Sequence, residues 1–278
     1  MHQTSAEQHV STFFGVRRCA MSCTTEWDYR WWGCIYITGM LRATGPPSSI
    51  SRVRDSCRNK RFSIFCVKFA KFKMPSYKLI YFPATALGEP IRYLLSYANI
   101  DFVDERVDFE ADWPKLKPTV PFGKLPVLEV DGKRMHQSVA ICRYLAKQCG
   151  LAGKDDSEAL EIDAAVDTVH DLRMGIAMYS YEKNEKAKEE KHKLAKERVP
   201  YYLERLDAQV KKNGGYLVGG ALSLADFTFV GLLDYMNYMM NENIIEKYEN
   251  LKQLQKKVEE LPAIKRWIEK RPPVMWSK

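Results

Sequence analysis

The sequence predicts two folded parts in series. A small mixed α/β domain occupies residues 74–152, and an all-helical domain with no strand signals occupies 155–278. A basic extension, residues 1–73, precedes them and reads as unstructured or absent from the mature protein. Three observations carry this. From Met74 on, the strand signals fall within residues 77–136, and residues 155–278 lack them. Beyond residue 155 the apolar residues recur at helical spacing. The charge is also split: residues 1–73 hold twelve Lys/Arg against four Asp/Glu, whereas residues 74–278 hold 31 of each.

The elements follow in order. "YKLIYF" (77–82) predicts a strand. "GEPIRYLLSYAN" (88–99) predicts a helix, with Pro90 near its start, where a missing N–H costs little. "DFVDERV" (101–107) is a second strand, and strand–helix–strand implies a parallel crossover. "LPVLEV" (125–130) and "KRMH" (133–136) flank Asp131-Gly132, a strong hairpin signal. "SVAICRYLAKQCG" (138–150) is a helix with Gly150 past its end. In the second part, Ile162, Ala165, Val166, Val169, Leu172 and Ile176 trace one helix face. The charge run "YEKNEKAKEEKHKLAKER" (181–198) reads as a solvated helix surface that continues past Pro200. Ser223 and Asp226 form a capping-box-like pair ahead of "LADFTFVGLLDYMNYM", and two more helices fit around 250–260 and 263–271.

Composition excludes several classes. The net charge of +8 belongs to the extension, so the rest of the chain gives no signal for nucleic-acid binding. The nearest approach to a membrane span, "WWGCIYITGML" (31–41), is too short. Cys19, Cys23, Cys34, Cys57 and Cys66 lack paired zinc-ligand spacing, so no metal site is expected. Cys142 and Cys149 alone make no disulfide framework and suit a reducing, cytoplasmic compartment. The extension is Arg- and Ser-rich like a transit peptide. Glu7, Glu26 and Asp28 interrupt it, which favours an upstream translated segment with Met74 as the start.

The stretch "LPVLEVDGKRMHQS" (125–138) raises the question of chemistry. The order βαβ then ββα is that of a thioredoxin-like fold, without a CxxC pair. Pro126 opens the third strand. It is either a plain trans proline or a cis one that turns the Leu125 backbone outward to pair with a bound peptide. At the far end, Ser138 either caps a helix or leaves its N-terminus free for a carboxylate, with Gln137 adding a hydrogen bond.

Residues 74–278 resemble the cytosolic glutathione transferases of the sigma class, which includes haematopoietic-type prostaglandin D synthases. The matching motifs are "MPSYKLIYF", "GEPIRYLL", "ADWPKLKPTVPFGKLPVLEVDGKRMHQSVAICRYLAK" and "SLADF". The resemblance implies the glutathione transferase fold, with an α/β thioredoxin-like N-terminal domain and an all-α C-terminal domain. It implies glutathione as co-substrate and a homodimer. Tyr81 would be the catalytic phenol that hydrogen-bonds the glutathione sulfur. Trp113, Lys117 and Lys124 would hold the glycyl carboxylate. Leu125, beside Pro126, would pair with the cysteinyl unit through its backbone. Gln137 and Ser138 would take the γ-glutamyl carboxylate, and Asp171 would reach the γ-glutamyl amine from the partner subunit. Phe82, Met174, Met178 and Trp276 are candidates for the electrophile pocket, and Phe122 for the dimer contact.

The implied activity is conjugation of hydrophobic electrophiles, including lipid-peroxidation aldehydes, with some hydroperoxide reduction. The alternatives are a prostaglandin D-type isomerase and a catalytically weak, crystallin-like relative. Two departures weigh against the isomerase and against divalent-metal activation. Leu87 stands where such synthases carry an Arg, and His170 replaces the third of three interfacial acids, of which Asp167 and Asp171 match two.

Overall fold

A computed structural model describes residues 75–276. The extension 1–73, with its five cysteines, and Met74 lie outside the described residues.

Four strands make one mixed sheet in the order β2–β1–β3–β4. β1 (Tyr77–Tyr81) is parallel to β2 (Phe102–Arg106) and antiparallel to β3 (Val127–Val130), which pairs with β4 (Lys133–His136). The crossover between β1 and β2 is α1 (Glu89–Tyr97), with Pro90 in its first turn. Asp131 and Gly132 take positive φ values of 49° and 81°, which a two-residue hairpin with the twist of its strands requires. The Leu125–Pro126 bond is cis. α3 (Ser138–Gln148) covers the sheet together with α1.

Between β2 and β3 the chain makes α2 (Trp113–Leu116) and two 3-10 turns, Lys117–Thr119 and Pro121–Gly123. Periodicity does not reveal these, because a single turn is too short to show a repeat.

The helical half comprises α4 (Asp156–Ser180), α5 (Glu185–Lys212), α6 (Leu224–Met240), α7 (Glu249–Glu259) and α8 (Pro262–Lys270). The charge run 181–198 begins with a turn, not a helix: Tyr181 ends α4, and Asn184 caps α5 by accepting the Ala187 N–H. α5 runs through Pro200, which removes one hydrogen bond without ending the helix. α6 is apolar on nearly every face because it is the central core helix. Its capping box is present, with Asp226 accepting the Ser223 N–H at 2.8 Å, the Ser223 hydroxyl at 3.0 Å and the Leu217 N–H at 2.8 Å.

α1 packs on both α6 and α8, which joins the sheet layer to the helices. Gly231 permits this closeness, since a Cβ there would lie 3.0 Å from Pro90. Glu89, 1% exposed, receives Trp267 Nε1 at 2.8 Å and Arg271 Nη1 at 2.7 Å from the α8 side and Arg92 Nη1 at 3.0 Å from its own helix. A buried carboxylate is tolerable only when surrounded by donors in this way. Among the described residues no helix is long and apolar enough to cross a membrane.

Candidate active site

Tyr81 ends β1, the point at which a strand delivers its last side chain to the edge of the sheet layer. It is 6% exposed. Its hydroxyl oxygen accepts the Leu87 N–H at 3.3 Å, and the Arg92 guanidinium lies 5.8 Å from its ring centroid. Gly88 makes room for the ring, because a Cβ there would lie 2.6 Å from Tyr81 Cδ1. Burial pushes the phenol up to about 12, against the lowering effects of the Leu87 N–H and the Arg92 charge. At neutral pH the group is therefore a protonated phenol. With Leu87 occupying one side of its oxygen, its own proton is left to donate elsewhere.

The strand register brings the end of β1, the start of β3 and the end of β4 to one edge of the sheet. Phe82 lies against Tyr81, Phe109 and Trp113, with ring centroids 5.4 to 5.7 Å apart. This places Phe82 in the aromatic cluster that includes Trp113. Lys117 and Lys124 are both exposed and flank the 3-10 turn at 121–123. Leu125 stands just outside the strand ladder, before buried Pro126. At the end of β4, Ser138 is the first helical residue and Gln137 is the N-cap, with φ 70° and no capping bond from its side chain. Ser138 is thus not the cap. A non-glycine residue at positive φ is costly, and such positions concentrate at functional sites.

Met174 and Met178 are exposed on α4, and Trp276 stacks on Tyr238 and Tyr235 of α6 at centroid distances of 4.7 and 5.7 Å. The Tyr181 and Tyr235 hydroxyls are 2.6 Å apart. Tyr181 and Arg173 both act electrostatically on Tyr81, the first raising and the second lowering its pKa, and Arg173 Nε is buried without a partner. Sequence reasoning passed over Arg173, Tyr181, Tyr235 and Arg92. Their helical spacing marks them only as ordinary positions on a helix, and nothing local says that three distant segments meet.

Asp171, on α4, is exposed and has no place among the residues around Tyr81 within this chain. Nearby, Arg143 holds Asp163 Oδ1 at 2.6 Å and Asp167 Oδ1 at 3.2 Å, so Asp167 is already engaged by an internal cation. Burial and the neighbouring Arg173 depress the His170 pKa to about 4, leaving that side chain neutral. An Arg-held carboxylate and a neutral imidazole are poor partners for a hard divalent cation.

Comparison with known proteins agrees with this architecture. Residues 75–147 match the glutathione S-transferase N-terminal domain and residues 170–271 the C-terminal domain. The chain is 51% identical over 200 residues to a glutathione S-transferase of Anopheles gambiae, covering 72% of this chain and 98% of that protein. It is 39% identical over 199 residues to the haematopoietic prostaglandin D synthase of Rattus norvegicus, covering 72% and 98%. The structure of prostaglandin synthase D of Nilaparvata lugens superposes with a TM-score of 0.68 at 46% identity, covering 71% of this chain and 98% of that one. The chain belongs to the glutathione S-transferase family, and glutathione is its co-substrate.

Proposed function

We propose that this enzyme conjugates the glutathione thiolate to hydrophobic electrophiles, with lipid-peroxidation aldehydes among them and organic hydroperoxides reduced at the same site. The observation that carries the reading is the buried phenol of Tyr81, kept protonated and held by Leu87 so that its proton is available to a sulfur. The glutathione site is built on residues 74–152. Trp113, Lys117 and Lys124 take the glycyl carboxylate, and the Leu125 backbone beside Pro126 pairs with the cysteinyl unit. Gln137 and Ser138 take the γ-glutamyl carboxylate at the N-terminus of α3, where free N–H groups and the helix dipole favour an anion.

Residues 155–278 supply the electrophile pocket and dimer contacts. Phe82, Met174, Met178 and Trp276 provide apolar surface. Arg173 and the Tyr181–Tyr235 pair offer a charge and hydroxyls near Tyr81, suited to the carbonyl oxygen of an enal on which negative charge develops as sulfur adds to the β-carbon. Phe122 is 82% exposed, as an aromatic that inserts into a second copy would be, and Asp171 of the partner subunit completes the γ-glutamyl site. Cys142 and Cys149 are unpaired, which suits a cytoplasmic setting.

Retention on immobilised glutathione together with turnover of chlorodinitrobenzene tests the assignment; an inert relative would show neither. Gln137→Ala is expected to raise KM for glutathione about tenfold with kcat nearly unchanged, because it removes an interaction made equally in the ground and transition states. An unchanged KM in steady-state kinetics would remove Gln137 from the site.

A second reading, a prostaglandin D-type isomerase, is favoured by the 46% identity to the Nilaparvata lugens protein. Leu87, with no charge to offer beside Tyr81, weighs against it. Product analysis with prostaglandin H2 decides between the two.

A further inference from the structure

We propose that Arg106 is a positioning residue for a C-terminal strap, residues 272–276, and that the strap fixes Trp276 as a wall of the electrophile pocket and thereby sets which electrophiles are accepted. This rests on the transferase reading above and extends it to substrate selection.

The strap is tied at three independent points. Arg106, the last residue of β2 and 13% exposed on its side chain, donates Nη1 to the carbonyl oxygens of Pro272 and Pro273, each at 3.2 Å. Two consecutive prolines cannot continue α8, and they leave carbonyls that a helix would have used. The two N–H groups of Nη1 reach both. Next, the Met275 N–H donates to the Pro83 carbonyl at 2.7 Å, two residues beyond Tyr81. Last, the Trp276 indole lies nearly parallel to Tyr238 and Tyr235, with interplanar angles of 13° and 22°. The strap thus runs from the sheet layer, past the loop after β1, to the α6 wall that carries the Tyr235 hydroxyl.

The Arg106 side chain is itself held. Its Nε donates to Asp104 Oδ2 at 2.9 Å, and the other oxygen of Asp104 takes Arg92 Nε at 2.9 Å. Arg92, fully buried behind Tyr81, donates Nη1 to the Ala84 carbonyl at 2.6 Å. One carboxylate therefore orients both the cation that anchors the strap and the cation that anchors the loop carrying Leu87. Arg106 touches neither glutathione nor the electrophile in this arrangement, so its effect must pass through Trp276.

The test compares a long, apolar electrophile with a short one. In Arg106→Gln, whose shorter side chain loses both the Nε–H held by Asp104 and the reach to the prolyl carbonyls, kcat/KM for trans-2-nonenal is expected to fall about fivefold. Chlorodinitrobenzene turnover and KM for glutathione should change less than about twofold. Arg106→Lys should restore part of the loss through its retained charge. Trp276→Ala should lower nonenal turnover similarly, and the double variant should be no worse than either single one, because both remove one wall. Parallel losses on both electrophiles, no loss on nonenal, or additive losses in the double variant would overturn the proposal. Should Arg106→Gln fail to fold, a chain ending at Val274 carries the same test. It removes Met275 and Trp276 from a terminus and must reproduce the selective loss. Failure of the transferase reading itself would appear separately, as no turnover of either electrophile by the wild-type enzyme.

Discussion

Tyr81→Phe is expected to shift the thiol of enzyme-bound glutathione upward by about two pH units and to lower kcat most strongly in acid. A two-unit shift corresponds to about 2.7 kcal/mol of preferential stabilisation of the thiolate. A thiol near pKa 6.5 is about half ionised at pH 6.5, whereas one near 8.5 is about 1% ionised, a roughly fiftyfold difference. The more acidic thiolate is also the weaker nucleophile, which takes back about eightfold. The net loss from ionisation is therefore about sixfold at pH 6.5, and it is gone by about pH 7.6, where the ionisation ratio has fallen to the same eightfold. Glutathione affinity at pH 6.5 should fall only about twofold, the linked cost of a thiol that is half ionised there, because the contacts proposed for the rest of the tripeptide do not involve the phenol. The Tyr81 hydroxyl can play this role because burial keeps it protonated, with its own pKa near 12. Ultraviolet titration of the mercaptide and a pH–kcat profile check the prediction. A loss equal at every pH would mean that the phenol does not govern thiol ionisation. The rest of the rate acceleration must come from holding sulfur and electrophile together.

Asp226→Ala is expected to cost about 4 kcal/mol of stability without a direct effect on chemistry. Asp226 is fully buried and accepts from the Leu217 N–H, the Ser223 N–H and the Ser223 hydroxyl. Alanine strands all three donors away from water and removes the Asp226 half of the capping box at the start of the central helix. For a folded unit of this size that corresponds to a Tm lower by about 10 °C. The pH dependence has a definite sign. Burial raises the Asp226 carboxyl from 3.8 to about 6 despite its three donors. The folded state thus holds this proton more tightly than the unfolded chain does. The stabilisation linked to it is complete below about pH 4 and is lost as pH rises through 6, a change of about 3 kcal/mol. The margin of wild type over Asp226→Ala should therefore narrow from pH 4 to pH 7, while other titrating groups cancel in the comparison. Denaturant midpoints at three pH values check this; a margin that widens with pH would contradict the burial-driven shift.

Much of the molecule was legible in the chain. β1, the Asp131-Gly132 hairpin, α3 and the α6 capping box are local events, fixed by residue types within a few positions of one another. The alternation, the turn residues and the Ser223–Asp226 spacing announced them. The proposed glutathione-side residues come instead from the family resemblance that the motifs carry. Most lie on one continuous run, from Trp113 to Ser138, attached to Tyr81 through the sheet.

Other features had no local signature. Pro126 is compatible in sequence with either isomer, and Ser138 reads as a cap until the backbone places the cap and its positive φ one residue earlier, at Gln137. The meeting of Arg173, Tyr181 and Tyr235 near Tyr81, the burial of Glu89 among Trp267 and Arg271, and the strap held by Arg106 join residues up to 182 positions apart. The sequence by itself determined which elements form, because hydrogen-bonded turns, caps and apolar periodicity act over a few residues. Tertiary structure alone decided the surroundings of the phenol, from the Leu87 N–H to the charges of Arg92 and Arg173, because such contacts act through space and depend on how α1, α4 and α6 pack.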